Sequence, residues 1–154
     1  WKAKEVGLHT HFIELAGEIN RRMPEYVVDK LASELNARRK SVNGAKILIL
    51  GVAYKRDIDD MRESPALEII EMLLSRGAEV SYHDPHIAAL PKTRRHDIQL
   101  QSQELRPELL ASLDAAVLIT DHSGVDYDKV LESTPLVIDT RGKFRGRGIT
   151  VVPA

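Results

Sequence analysis

A chain of 154 residues, 43% hydrophobic and without cysteine, has the size of one domain and could bury roughly 68–70% of its unfolded surface. The missing cysteine excludes a disulfide scaffold, a thiolate metal site and a thiol nucleophile within this chain. With 22 Lys plus Arg against 23 Asp plus Glu, the net charge of −1 gives no steering toward nucleic acid or a membrane, and no apolar run approaches the ~20 residues that span a bilayer; this is the composition of a soluble, cytoplasmic protein.

The start, Trp1-Lys2-Ala3-Lys4-Glu5, is neither an initiator methionine nor a signal peptide, which reads as a piece of something longer. From about 9 to 42 the pattern is helical: Phe12, Leu15, Ile19, Met23, Val27, Leu31 and Leu35 step by three or four onto one stripe. Pro24 removes one backbone donor and is expected to kink that helix or split it in two. Ser41-Val42-Asn43-Gly44 supplies the stop. A helix this long is either a core helix of this domain or a connector that packs on another copy, and the pattern leaves both open. The chain thus divides at residue 44 into a helical region, 1–44, and a second unit, 45–154.

From Ala45 strand and helix alternate. Lys46 to Gly51 is a near-continuous apolar run, as in a parallel strand covered on both faces. Ser64-Pro65 opens a helix with Leu67, Ile70, Leu73 and Leu74 on its apolar stripe, and Gly77 ends it. Glu79 to His83 is a second strand closed by Asp84-Pro85, and residues 86–104 are polar with no clear period. A short helix over 105–113, a strand at 115–119, a helical turn or two at 127–132 and strands at 136–139 and 149–152 complete the order. The expectation is an α/β, Rossmann-like, doubly wound parallel sheet preceded by one long helix.

In such sheets ligands gather beyond the carboxyl ends of the strands. The loop after the first strand, Gly51 to Ser64, has one glycine where a dinucleotide turn needs Gly-x-Gly-x-x-Gly, so it does not hold NAD in the usual way. It offers Lys55, Arg56 and Arg62 instead. These could grip phosphate oxygens, or could simply pair with Asp57, Asp59, Asp60 and Glu63 in solvent; spacing alone leaves both readings. After the fourth strand come Arg141, Lys143, Arg145 and Arg147 among glycines, of which Arg141 sits at the strand end. A single phenylalanine there and a neutral chain argue against RNA. The acidic run 57–63 fails the calcium-loop pattern, and His83 with His86 has no third ligand nearby in sequence, so no metal is expected. Asp121-His122-Ser123 holds the letters of a hydrolase triad but cannot align as one.

Leu50-Gly51-Val52-Ala53-Tyr54-Lys55-Arg56-Asp57, then Asp60-Met61-Arg62-Glu63-Ser64-Pro65-Ala66, resembles the C-terminal domain of the UDP-glucose/GDP-mannose dehydrogenase family, most of all its UDP-N-acetylglucosamine 6-dehydrogenase branch. Tyr82-His83-Asp84-Pro85 and Asp139-Thr140-Arg141 match later landmarks in order. The resemblance implies a UDP-sugar-binding domain, 45–154, behind a central connecting and dimerising helix, 1–44. It implies a parent enzyme that oxidises a sugar C6 alcohol twice with NAD, through a cysteine and an NAD domain absent from this chain, and so no catalytic residue here. Tyr54, Lys55 and Arg141 match positions contacting the nucleotide sugar, and Arg62 matches an arginine reaching NAD on that other domain. UDP-glucose or UDP-N-acetylmannosamine enzymes, a non-catalytic dimerisation scaffold, and an independent anion or CoA binder stand as alternatives.

Overall fold

The computed structural model describes residues 11–92, 97–148 and 150–154. Helix α1 (His11–Ala37) leads into strand β1 (Lys46–Leu50), helix α2 (Ala66–Ser75), strand β2 (Glu79–His83), helix α3 (Pro107–Ser112), strand β3 (Ala115–Leu118), helix α4 (Tyr127–Ser133) and strands β4 (Val137–Asp139) and β5 (Val151–Pro153). All five strands are parallel, in the order β2-β1-β3-β4-β5. The chain winds outward from β1 to β2, then returns to place β3 on the other side of β1. The switch point of this doubly wound sheet therefore lies between β1 and β3.

The pleat sorts the strand residues onto two faces. Ile47, Ile49, Ala115, Val117 and Ile138 face α1 and α2 through Val27, Leu31, Leu35, Ile70 and Leu73. Leu48, Leu50, Ala116, Leu118 and Val137 face α3 and α4 through Leu110, Tyr127 and Val130, together with Phe144. Both faces are dry, which is why β1 and β3 read as continuous apolar runs rather than alternating ones.

Several expectations shift in detail. Helix α1 runs through Pro24 as one helix, so of the two expected outcomes, a kink or a split, the split does not occur. It also stops seven residues before Gly44: Lys40 N–H bonds the Leu35 carbonyl and Arg39 N–H that of Asn36, with Arg39 left-handed at φ 60°. That is a Schellman closure made without glycine, and Gly44 serves only the turn into β1. The stripe is buried only from Val27 onward; Phe12, Leu15, Ile19 and Met23 are exposed. On α2, Leu74 faces solvent and Ile69 takes its place in the core. That helix opens at Ala66 rather than at Pro65, while Ser64 Oγ still accepts from Ala66 N–H as a cap does (3.3 Å). The segment 86–104 carries bridges from Ala89 to Gln101 and from Tyr82 to Ser102. The expected helix start at residue 9 and strand start at Ile149 fall outside the described residues. Among the described residues no helix is long and apolar enough to cross a membrane.

Candidate anion-binding cleft

The turn leaving β1 is drawn tight against the strand beside it. Gly51 has φ 77°, and a side-chain carbon there would stand 2.0 Å from the Thr120 carbonyl oxygen. This glycine is thus required for the approach of one backbone to another, and leaves no cradle for a pyrophosphate. No Gly-x-Gly-x-x-Gly turn exists here to hold NAD, and the residues present do not fit that role.

Beyond the turn, Asp84 organises the loop. Its buried carboxylate accepts from Val52 N–H (2.7 Å) and Ala53 N–H (3.1 Å) on one oxygen, and from His86 N–H (2.8 Å) and Ile87 N–H (3.1 Å) on the other. Thr120 Oγ1 donates to the Ala53 carbonyl (2.7 Å), and Tyr54 N–H closes onto the Asp60 carbonyl (2.7 Å). The Tyr54-Lys55 tip is thereby presented over the switch point.

The cleft that results, about 580 Å³, is lined on one side by Asn20, Met23, Pro24 and Val27 of α1. Tyr54, Lys55, Glu63, Pro65 and Ile69 form a second wall, and Ile119, Thr140 and Arg141 a third. Three of the four residues singled out from sequence, Tyr54, Lys55 and Arg141, therefore meet in one place. Lys55 lies over the Tyr54 ring, 5.3 Å from its centroid, and has no carboxylate within ion-pair distance among the described residues. Arg141 is equally without a carboxylate partner there. Its Nε donates to the Ile119 carbonyl and its backbone N–H to Asp139 Oδ1 (3.0 Å). The other oxygen of buried Asp139 accepts from Phe144 N–H (2.8 Å), so the carboxylate shapes the loop and leaves the guanidinium charge uncancelled.

Arg62 lies apart from this group. It is highly exposed and folded onto Asp60 through Nε and Nη2 (2.9 Å at the shortest). That guanidinium holds the Asp60 carboxyl down to about 2. Arg56 is likewise paired, with Asp57 (3.5 Å) and Asp121 (3.4 Å), and donates twice to Ser123 Oγ. Hydrogen bonds from Ser123 in turn hold the Asp57 carboxyl below its ordinary range. The solvated-ion-pair reading therefore holds for Arg56 and Arg62 and fails for Lys55. In the late basic run, Lys143 reaches Asp121 (3.5 Å) and stacks on Tyr127, and Arg147 pairs with Asp128; Arg141 alone of the run lines the cleft.

Two positions that hold the loop were assigned no role in the sequence reading: Asp84 entered as the closing residue of a strand and within the Tyr82-His83-Asp84-Pro85 match, and His122 as loop punctuation. The signal for both is position, since Asp84 directly follows β2 and His122 lies in the loop that follows β3. Folding also brings His122 and His86 beside Asp57, a grouping that does not include His83. The His122 Nδ1 lone pair is already taken by the Asp57 backbone N–H (3.0 Å), and the Asp57 carboxylate lies 3.7 Å from each ring. Ser123 Oγ serves as Arg56's acceptor, and no triad is assembled.

Comparison with known proteins agrees with this geometry. Residues 48–146 match the UDP-glucose/GDP-mannose dehydrogenase family, UDP binding domain. The chain is 34% identical over 149 residues to a UDP-N-acetyl-D-mannosamine dehydrogenase of Methanococcus maripaludis, covering 92% of this chain and 32% of that protein. It is 33% identical over 150 residues to a UDP-glucose 6-dehydrogenase of Bacillus subtilis, covering 92% and 31%. Among solved structures, a UDP-D-ManNAc dehydrogenase from Pyrococcus horikoshii superposes with a TM-score of 0.76 at 25% identity, over 98% of this chain and 34% of that one. The chain thus spans about a third of the length of these relatives.

Proposed function

The chain belongs to the UDP-glucose/GDP-mannose dehydrogenase family, within its UDP binding domain, and on that premise we propose that it is the nucleotide-sugar-binding part of an NAD-dependent, cytoplasmic UDP-sugar 6-dehydrogenase. Lys55 and Arg141 grip the diphosphate, and Tyr54 packs beside the nucleotide. The observation that carries this is that Lys55 and Arg141, from two different loops, face one cleft at the switch point with no carboxylate partner among the described residues, while Arg56 and Arg62 beside Lys55 are ion-paired. A diphosphate supplies the negative charge and the acceptor oxygens to which an ammonium and a guanidinium together donate. Met23, Pro24, Val27 and Ile69 offer the nucleoside an apolar wall.

The oxidation of the C6 alcohol to a carboxylate, with NAD as oxidant, belongs to groups outside this chain, which contains no cysteine and no dinucleotide turn. The isolated chain is therefore inactive. Arg62, exposed and held by the half-buried Asp60 carboxylate, is the residue we assign to NAD carried by another domain. The relatives act on UDP-N-acetyl-D-mannosamine and UDP-glucose by name, so the N-acetylglucosamine preference suggested by the motif is one choice within a 2-acetamido or hexose UDP-sugar class. The bare apolar overhang of α1, with Phe12, Ile13, Leu15 and Ile19 exposed, supports pairing with a second copy. If the cleft binds nothing, that overhang favours the scaffold reading.

Equilibrium titration tests the assignment. UDP binding with NAD failing to bind is the expected result. NAD binding without UDP, or no response to UDP at millimolar concentration, would overturn it. Titration with UDP-N-acetylglucosamine, UDP-N-acetylmannosamine and UDP-glucose in parallel ranks the sugars.

A further inference from the structure

Three loops meet at the C-terminal edge of the sheet, and one buried imidazole joins them. His122 is 1% exposed and follows β3. Its Nδ1 accepts from the Asp57 backbone N–H (3.0 Å). A ring nitrogen that accepts carries no proton, so the hydrogen-bond pattern assigns the proton to Nε2, which donates to Asp84 Oδ2 (3.1 Å). The same Asp84 oxygen accepts from Val52 and Ala53. The Tyr54-Lys55 tip is thus suspended between two anchors, Ala53 on one side and Asp57 on the other, and both lead back to one Asp84–His122 pair. Asp57 is held there in a left-handed conformation (φ 58°), unusual for a residue with a side chain.

We infer that His122 is a positioning residue for nucleotide binding: its neutral ring, by accepting from Asp57 N–H, fixes Lys55 over the cleft, and a proton gained at Nδ1 releases the loop. This rests on the reading of the cleft as a diphosphate site. A protonated Nδ1 would set one donor against another, and the Asp57 link would be lost. The Asp57 Oδ1 carboxylate oxygen lies 3.7 Å away, beyond hydrogen-bond reach, so using it as the acceptor for the new proton requires the Asp57 segment to turn. The charged and titratable groups that face the ring are Asp84, Asp57, the His86 ring at 5.0 Å and Arg56, itself committed to Asp57 and Asp121. Tyr127 accepts from His122 N–H (2.8 Å) and stays neutral, since burial pushes its hydroxyl up to about 12.

The test uses UDP-glucose, whose diphosphate is a diester with no proton to gain between about pH 5 and about pH 8, the interval in which imidazoles ordinarily change charge. Its affinity is measured by equilibrium titration at both ends of that interval, for the parent chain and for His122→Asn, His122→Gln and His86→Asn. Asparagine can place an oxygen near the Nδ1 position and does not titrate, whereas glutamine reproduces only the Nε2 donor. The parent is expected to weaken about tenfold on acidification, the worth of one good hydrogen bond, and His86→Asn to behave the same. His122→Asn should keep the alkaline affinity within about threefold and lose the acid dependence, while His122→Gln is about tenfold weaker at both ends.

An acid limb that survives in His122→Asn, or a parent affinity indifferent to pH, would overturn the inference while leaving the diphosphate site standing. No binding by the parent at either pH would overturn the site and the inference together. Should the variants fail to fold, nitrogen NMR of the parent decides. An unprotonated Nδ1 at about pH 8, with the Asp57 amide losing its hydrogen-bonded shift in step with ring protonation, is expected. A proton on Nδ1 at the alkaline end would refute the inference.

Discussion

The tripeptide Asp-x-Arg occurs twice at strand-end loops of this chain, as Asp60-Met61-Arg62 and as Asp139-Thr140-Arg141, and the two copies end in opposite electrostatic states. In each, an aspartate oxygen accepts from the backbone N–H of the arginine two residues on, at 2.9 Å in the first and 3.0 Å in the second. In the first copy the aspartate is solvated and its oxygens have no competing donor, so the guanidinium folds back and cancels its own charge. In the second the aspartate is buried, its other oxygen is taken by Phe144 N–H, and the guanidinium is turned to the Ile119 carbonyl and the cleft. The same three-residue pattern gives a self-neutralised surface arginine or a poised anion ligand, according to how deeply its aspartate is buried.

That contrast can be broken at several points. The largest effect should follow removal of the two aspartates. Asp139→Ala orphans two backbone donors, one of them buried, and is expected to cost about 2–5 kcal/mol of stability. Asp60→Ala should leave the thermal midpoint nearly where it was; equal losses in thermal denaturation would mean that the two turns are equivalent after all. Next come the cations. Lys55→Ala and Arg141→Ala should each weaken UDP about 10- to 100-fold, since a hydrogen bond to a charged group contributes about 1.5–3 kcal/mol, with folding retained by circular dichroism. Arg62→Ala should change UDP affinity by less than about twofold, because a solvated pair of this kind contributes little; a loss matching that of Arg141→Ala would move the site. The smallest effect concerns protons. The Asp60 carboxyl titrates at about 2, below its unfolded value, so whatever its pair with Arg62 contributes is present above the ordinary carboxylate range and fades only as pH falls toward about 2. Carbon NMR of Asp60 giving an ordinary midpoint would show that the pair is not formed in solution.

How much of this was written in the sequence depends on the range of the forces involved. Strands β1 and β3 were legible because their burial on both faces leaves continuous apolar runs, and the end of α2 because Gly77 is the residue its left-handed turn favours. The end of α1 was not, since Arg39 adopts that conformation against its own preference and the tertiary fold holds it there. Nor was the exposure of Phe12 to Met23: periodicity reports that a stripe exists and is silent on what covers it. At the site, Arg141 was legible by its position at a strand end and Lys55 as one of three cations in the loop after β1, while Tyr54 entered through the family resemblance alone. The fates of Arg56 and Arg62 turned on which carboxylates the loops bring within reach, and no local pattern encodes that. Asp84 and His122 were hidden for the same reason. Their partners, Val52, Ala53 and Asp57, lie 31 to 65 positions away in sequence.

The most direct measurement is a structure of the chain soaked with UDP. The account places the diphosphate between Lys55 Nζ and the Arg141 guanidinium, with Arg62 still folded on Asp60. A diphosphate held by Arg62, or bound anywhere away from the β1–β3 switch point, would contradict it.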